Sequence, residues 1–276
     1  MKDSHHSFFL LIGYGEDAKT RWKKMAQLYA KSCLDQNLRS LDEWKQDAFT
    51  QFGEMVGDEA DTFPCVPGRQ GFFLDHLRYG FVGDPRGEEA VNELAELLRE
   101  YQSCSRETGQ YASFICFFET PQDMKEYSLE EYEEQFWSMV QQLHQKDEMK
   151  WPEEIPSDPE NHEWEFCFHG EPYFILCATP AHKLRKSRHF PYVMWAFQPR
   201  WVFEKMNGST TFGQKMSKLV RKRLKAYDQV DVHPALKWYG DQKNLEWKQY
   251  FLSDDEAEKP ASAKCPFTAL KNMMKL

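Results

Sequence analysis

Residues 164–204 read WEFCFHGEPYFILCATPAHKLRKSRHFPYVMWAFQPRWVFE, and they hold the strongest strand pattern in the chain. Two short aromatic-rich runs, 164–169 and 173–178, are joined by Gly-Glu-Pro, in which Gly170 permits a tight turn. This spacing predicts an antiparallel hairpin. Pro180 and a basic run then interrupt the pattern, and a third apolar run over 192–203 resumes it. We expect a sheet that stops at a loop and starts again.

The interrupting loop places one histidine among several cations, which are His182, Lys183, Arg185, Lys186 and Arg188. Such a group could bind an anionic cofactor, and it could equally be a solvated loop. Composition alone favours the solvated loop.

The other elements follow from periodicity. A short apolar run over 113–118 predicts a further strand, and apolar spacings of three and four predict helices over 17–36, 87–101 and 211–227. Ser40 with Glu43, and Ser128 with Glu131, have the capping-box spacing that begins a helix. The segment 62–85 is rich in proline and glycine and is interpreted as a long loop.

These elements predict an α+β fold, an antiparallel sheet flanked by helices in a single domain. We expect residues 1–60 to form a helical extension packed on a main domain of residues 61–252. Residues 253–276 are predicted to be a flexible tail. The N-terminal helices could also be a dimer contact, so a homodimer is one expected assembly.

The composition argues against several classes of protein. The chain has 276 residues and a net charge of −9, which argues against a general nucleic-acid-binding surface. Its seven cysteines are scattered without a CxxC pair, so a reducing compartment is expected. No run is long enough to span a membrane and no signal core is evident, and we expect a cytoplasmic protein without a membrane partner.

The common catalytic motifs are absent, including GxGxxG, GxxxxGK[ST], HExxH and GxSxG. This leaves cofactors held by one axial side chain in an apolar cavity, of which haem is the main example. His182 with its neighbouring cations offers a ligand and partners for propionates. Cys65, held between two prolines, is a second soft-metal ligand, and its alternative role is a small buried hydrophobe.

Several separated blocks also resemble one known family, YqcI/YcgG. The blocks are FPCVPGRQG (63–71), LRYGF (77–81), EWEFCFHGEPYFI (163–175), TPAHKLRKSR (179–188), FQPRWVFE (197–204) and WYGDQKNLEWKQYFL (238–252). Members of this family include haem proteins that N-hydroxylate guanidine groups. The resemblance implies haem b, dioxygen, an external electron donor and an amino-acid-like small-molecule substrate such as L-arginine.

The resemblance also orders the candidate residues. His182 is the first choice for the axial ligand of the haem iron, Cys65 the second and His169 the third. The candidates for binding the propionates are Arg185, Arg188 and Arg200. The carboxylates that could hold a substrate guanidinium are Glu165, Glu171, Asp241 and Glu246, without a ranking. Cys265-Pro266 resembles a haem-regulatory pair, although a two-residue motif is weak.

Two rival interpretations stay open at this point. The protein could bind haem without catalysis, as a sensor or carrier. It could also be an interaction module without a cofactor, because a packed core and a haem pocket use the same aromatic residues.

Overall fold

A six-stranded mixed sheet forms the centre of the fold. The structure is a computed structural model that describes residues 27–204, 210–237, 242–255, 265 and 267. In these residues the strand order is β1-β2-β3-β6-β5-β4. β2 and β3 run parallel, and the other neighbouring pairs are antiparallel. The strands are β1 (Tyr29–Ala30), β2 (Leu77–Val82), β3 (Ser113–Phe118), β4 (Phe166–Phe168), β5 (Glu171–Ala178) and β6 (Met194–Pro199).

The predicted α+β class is confirmed, and the sheet is mostly antiparallel as expected. Its one parallel pair was not anticipated, because β2 lies in the segment that we interpreted as a loop.

The predicted hairpin is present as β4 and β5. Its loop is His169-Gly170, and both residues have positive φ angles, 51° and 77°. This is the backbone of a two-residue hairpin turn, and a glycine at the second position adopts it without strain. Pro172 lies inside β5, beyond the end of its pairing with β6, so its missing N–H leaves no gap there. The third apolar run is a strand only to Pro199, and a short helix follows.

Seven α-helices lie in the described residues. They are α1 (Lys31–Asn37), α2 (Glu43–Gly57), α3 (Val66–Phe73), α4 (Glu88–Thr108), α5 (Leu129–Gln145), α6 (Arg200–Glu204) and α7 (Thr211–Asp228). The capping box at the start of α5 is confirmed, since the Glu131 N–H donates to Ser128 Oγ and the Ser128 N–H donates to Glu131 Oε2. The other predicted box is wrong: Asp42 precedes α2, and the Ser40 hydroxyl donates to Asn37 O.

The two faces of the sheet carry different helices. Phe114, Cys116 and Trp195 pack under α4 and α5 in a continuous aromatic core. Ile115, Phe117 and Met194 point to the opposite face and pack with α2 and α3. This alternation is the ordinary period of two along a strand. At β5 and β6, α7 lies over this second face.

The loop predicted over 62–85 is wrong, because it contains both α3 and β2. Pro67 lies in the first turn of α3, where its missing N–H removes no helical bond. Gly80 in β2 is a packing residue, since a Cβ there would lie 2.8 Å from Leu97 Cδ1. The helix predicted over 17–36 begins only at Lys31 in the described residues, and positions 17–26 lie outside them.

The ends of the described chain also pack on the main body. Phe49 and Phe52 of α2 are buried against Tyr79 and Phe117. In the predicted tail, Cys265 and Phe267 are buried, and the Phe267 ring lies 5.4 Å from Trp164. Among the residues that the structure describes, no helix combines the length and apolar character needed to cross a membrane.

Candidate functional site

An apolar cavity of about 240 Å³ lies between α7 and the second face of the sheet at β5 and β6. Its walls come from the 63–65 loop, the strands, α6 and α7, and include Phe63, Phe174, Leu176, Phe203, Val220 and Leu224. Ligand cavities commonly measure roughly 300–1,000 Å³, so this one lies just below that range. Its lining also includes a thiol, a carboxylate, several neutral polar side chains and four cationic residues, which are Arg185, Arg188, Arg221 and Lys237.

The thiol is Cys65, the residue that precedes α3. Its Sγ accepts the Gly68 N–H at 3.3 Å. Gly68 makes this approach possible, because a Cβ there would lie 3.1 Å from Sγ. Burial raises the pKa of the Cys65 thiol, while the Gly68 bond and the charge of Arg188 lower it. Cys65 is thus a soft donor atom at the wall of an apolar cavity.

Two of the three lining arginines, Arg185 and Arg188, are buried in the loop after β5. Arg185 donates to the carbonyls of Asp231, Ser253 and Asp255. Arg188 donates to those of Cys177, Gln249 and Tyr250. Within the described residues neither guanidinium forms a salt bridge. The carboxylate that lines the cavity, Asp228, lies near enough to both guanidiniums to offset part of their charge without forming a salt bridge.

His182 is buried close by, but the protein occupies both of its ring nitrogens. Nε2 lies 2.9 Å from Leu252 O, and Nδ1 lies 2.9 Å from Thr179 Oγ1. Burial lowers the pKa of His182 to about 4, so the ring is neutral near pH 7. A carbonyl only accepts, so Nε2 carries the proton and Nδ1 accepts the Thr179 hydroxyl. Iron ligation would require one of these bonds to break.

The predicted residues His169, Glu171 and Arg200 lie elsewhere. His169 is in the β4–β5 turn, and its N–H donates to Asp147. Glu171 and Arg200 line a separate polar pocket of about 380 Å³ with Arg106, Trp201 and Glu204. The structure therefore brings Cys65, Arg185 and Arg188 to one cavity and separates Arg200 from them.

Glu165 and Glu246 are both buried and close enough to interact electrostatically. Burial, and then the charge of Glu165, raise the pKa of Glu246 to about 8, so Glu246 is mostly protonated at neutral pH. Asn244 Nδ2 donates to Glu246 Oε1, and Asn244 Oδ1 accepts from Gln249, which lines the cavity. Asp241 lies outside the described residues.

Asp228, the carboxylate in the cavity, was not selected from the sequence. It is the last residue of α7 and accepts the Ser187 N–H at 2.7 Å and the Ser187 hydroxyl at 2.9 Å. A signal for it exists: Val220, Leu224 and Asp228 are spaced by four, which puts an acid on the apolar stripe of a basic helix.

The described residues contain no group of three or more His, Cys, Asp or Glu side chains arranged to hold a metal ion. A haem needs only one axial side chain. Fold and cavity together define an α+β protein with a largely apolar cavity whose lining includes a thiol and buried cations.

The chain belongs to the YqcI/YcgG family, whose model matches residues 52–268. It is 57% identical to "Uncharacterized protein YcgG" of Bacillus subtilis (strain 168) over 247 residues, 89% of this chain and 96% of that protein. It is 31% identical to "Putative N(omega)-hydroxy-L-arginine synthase DcsA" of Streptomyces lavendulae over 267 residues, 94% of this chain and 96% of that protein. No solved structure matches.

Proposed function

We propose that this protein N-hydroxylates the guanidine group of L-arginine or of a closely related amino acid. The observation that carries the proposal is the similarity to DcsA, which extends over 94% of this chain and includes the cavity. In the proposed reaction one oxygen atom of dioxygen enters the new N–O bond and the other leaves as water. Two electrons and two protons come from an external donor.

We also propose haem b as the cofactor, held in the cavity by Cys65. Cys65 is favoured over His182 because its Sγ lines the cavity, whereas both His182 nitrogens are engaged. A thiolate ligand also favours cleavage of the O–O bond. A bound haem supplies the activation of dioxygen that N-hydroxylation requires. The cavity must widen to admit a group of that size.

In this proposal Arg185 and Arg188 provide the positive charge for the propionates. Their guanidiniums are fixed by backbone carbonyls, so they are in place before a ligand binds. Arg200 has no role there, since it faces the polar pocket. The apolar walls exclude water from the reacting atoms.

The test is the absorption spectrum of protein purified from haem-sufficient cells, oxidised, reduced and with carbon monoxide. We expect a Soret band and a strongly red-shifted band of the reduced carbon monoxide complex. Cys65→Ala should lose the red-shifted band, and His182→Gln should keep it. Cys104→Ala, which removes a half-buried thiol outside the cavity, is the matched control.

No Soret band after addition of haemin would overturn the haem proposal. Loss of the spectrum in His182→Gln but not in Cys65→Ala would return His182 to the first position. Turnover is measured separately, with L-arginine, dioxygen and a reductant, as formation of hydroxyarginine. A haem-loaded protein with no turnover on any guanidine would favour a sensor or carrier.

A further inference from the structure

Four carboxylate side chains are buried among the described residues: Glu165, Glu171, Asp228 and Glu246. Only Asp228 among these four lines the apolar cavity. A buried carboxylate loses the hydration that stabilises its charge, so a protein retains one where a partner of opposite charge or strong donors compensate it. Each of the four can therefore be compared by its partners.

Among the described residues, the negative charge of Asp228 is stabilised by hydrogen bonds from a single residue and not by a salt bridge. Its two hydrogen bonds both come from Ser187, one from the backbone N–H and one from the hydroxyl. It forms no salt bridge within the described part of the chain. A carboxylate accepts about four hydrogen bonds, so roughly half of this capacity is left. Burial raises the pKa of Asp228, while the two Ser187 bonds and the nearby charges of Arg185 and Arg188, which form no salt bridge to it, act in the opposite direction.

The other three acids suit a cationic ligand less well. Glu171 pairs with Arg106 at 3.4 Å and faces the polar pocket. Glu246 is mostly protonated near neutral pH and reaches the cavity only through Asn244 and Gln249. Glu165 lies close to Glu246 and does not line the cavity.

We propose that Asp228 is the residue that binds the substrate guanidinium, an assignment that rests on the proposed function. Ser187 fixes the carboxylate from one side. The remaining lone pairs accept two N–H groups of a guanidinium, the bidentate pairing that matches both planar groups. The apolar residues Leu224 and Val220, one and two turns earlier on α7, contact the aliphatic part of the substrate. The ligand class is an amino acid with a cationic guanidine or amidine head.

The test is isothermal titration of the purified protein with L-arginine and with L-citrulline, whose ureido group is a neutral isostere of guanidine. Asp228→Asn keeps the size and one acceptor oxygen for Ser187, but it removes the charge and the second acceptor. We expect it to weaken arginine binding by about 10- to 100-fold, and citrulline binding by less than about 3-fold. Ser187→Ala should weaken arginine binding by about 3- to 10-fold.

Asp231→Asn is the matched control. Asp231 is exposed and pairs with Lys225 at 2.5 Å, and the substitution removes the same charge three residues from Asp228. It should leave both affinities unchanged.

Equal arginine affinity in wild type and Asp228→Asn would overturn the assignment, and so would equal losses for arginine and citrulline. If Asp228→Asn does not fold, an unchanged arginine affinity in Ser187→Ala would overturn it. Selective arginine binding without hydroxylation would refute the proposed function and leave the Asp228 assignment standing. Wild-type protein that binds no guanidine would refute both.

Discussion

The cavity and the polar pocket are both lined by residues of β5 and contain the same kinds of charged residue, yet their charges behave differently. In the polar pocket Arg106 pairs with Glu171, and Arg106 is 67% exposed. In the cavity Arg185 and Arg188 are buried and bonded to carbonyls, and Asp228 is bonded to Ser187. An exposed ion pair is neutralised by its own partner and by water, so it contributes little to binding a charged ligand. Charges held apart by neutral partners inside the protein keep a field that a ligand can use.

The largest effect is expected for Glu246, a buried acid connected through Asn244 to Gln249 in the cavity lining. The quantity to measure is the pH dependence of the free energy of unfolding. The pKa of Glu246 is about 8 in the folded protein and about 4.5 in the unfolded chain, so the folded state binds more protons between these values. The contribution of Glu246 is full below pH 4.5 and is lost as pH rises to 8. We expect Glu246→Gln to be more stable than wild type by about 4 kcal/mol at pH 8.5 relative to pH 4.5, by urea unfolding.

Glu171→Gln is the comparison variant for that experiment: burial raises the pKa of Glu171 too, but the charge of Arg106 lowers it, so a smaller effect of the same sign is expected. A pH profile for Glu246→Gln that runs parallel to wild type would mean that the interior acid is solvated like the pocket acid. The two regions would then not differ in how well they shield charges from water.

The second test removes a buried cation. Arg188→Met removes the Arg188 donor from three buried carbonyls, those of Cys177, Gln249 and Tyr250, of which Tyr250 keeps a second donor, the Cys177 N–H. We expect a loss of about 3 kcal/mol in the free energy of unfolding, because unpaired buried acceptors are costly even when the new side chain packs well. Arg106→Met in the polar pocket should lose less than about 1 kcal/mol. Similar losses in both variants would contradict the comparison.

The third test concerns His182, for which the free energy of unfolding changes with pH in the opposite direction to that expected for Glu246. The pKa of His182 is about 4 when folded and about 6.5 when unfolded, so the unfolded chain binds the proton first as pH falls. The stabilising contribution of the neutral ring is full above pH 6.5 and declines toward pH 4. We expect wild type to lose about 2 kcal/mol relative to His182→Gln between pH 7 and pH 5. Urea unfolding at both pH values measures this difference.

His189→Gln serves as the control, since His189 is a neighbouring imidazole whose Nδ1 lies 2.8 Å from His182 O. An identical pH response in wild type and His182→Gln would show that the His182 ring is accessible to protons. A ring nitrogen would then be available for another partner, such as iron.

Much of the fold is encoded locally, and those parts were predicted. Ser128 and Glu131 are three residues apart and cap α5, and the runs on either side of Gly170 form the hairpin. β2 was missed because its glycine is required by Leu97 and Phe114, which approach from α4 and β3. Proline and glycine in that segment looked like loop signals, although Pro67 occupies a tolerated helix position.

The site was harder to predict, because its contacts join distant parts of the chain. Thr179 lies three residues from His182, but Leu252, which accepts the Nε2 proton, is seventy residues away. Spacing alone could not show that both nitrogens are engaged. Arg185 and Arg188 were selected for their charge, whereas their backbone partners and the proximity of Cys65 depend on tertiary packing. Asp228 was missed because it ends a helix that is otherwise strongly basic.

The smallest effect is expected at the Arg106–Glu171 pair. It tests whether the charges of the polar pocket are as weakly coupled as their exposure implies. Arg106 stacks over Trp201 with its guanidinium carbon 5.4 Å from the ring centroid, so much of its contact is with the ring rather than with Glu171. A double-mutant cycle of Arg106→Met and Glu171→Gln should give a coupling free energy below about 0.5 kcal/mol, decreasing further in high salt. A coupling above about 2 kcal/mol that is insensitive to salt would mean that this pair is as shielded from water as Asp228 and Arg188. The polar pocket would then have the electrostatic character that we assign to the cavity, and burial alone would no longer distinguish the two sites.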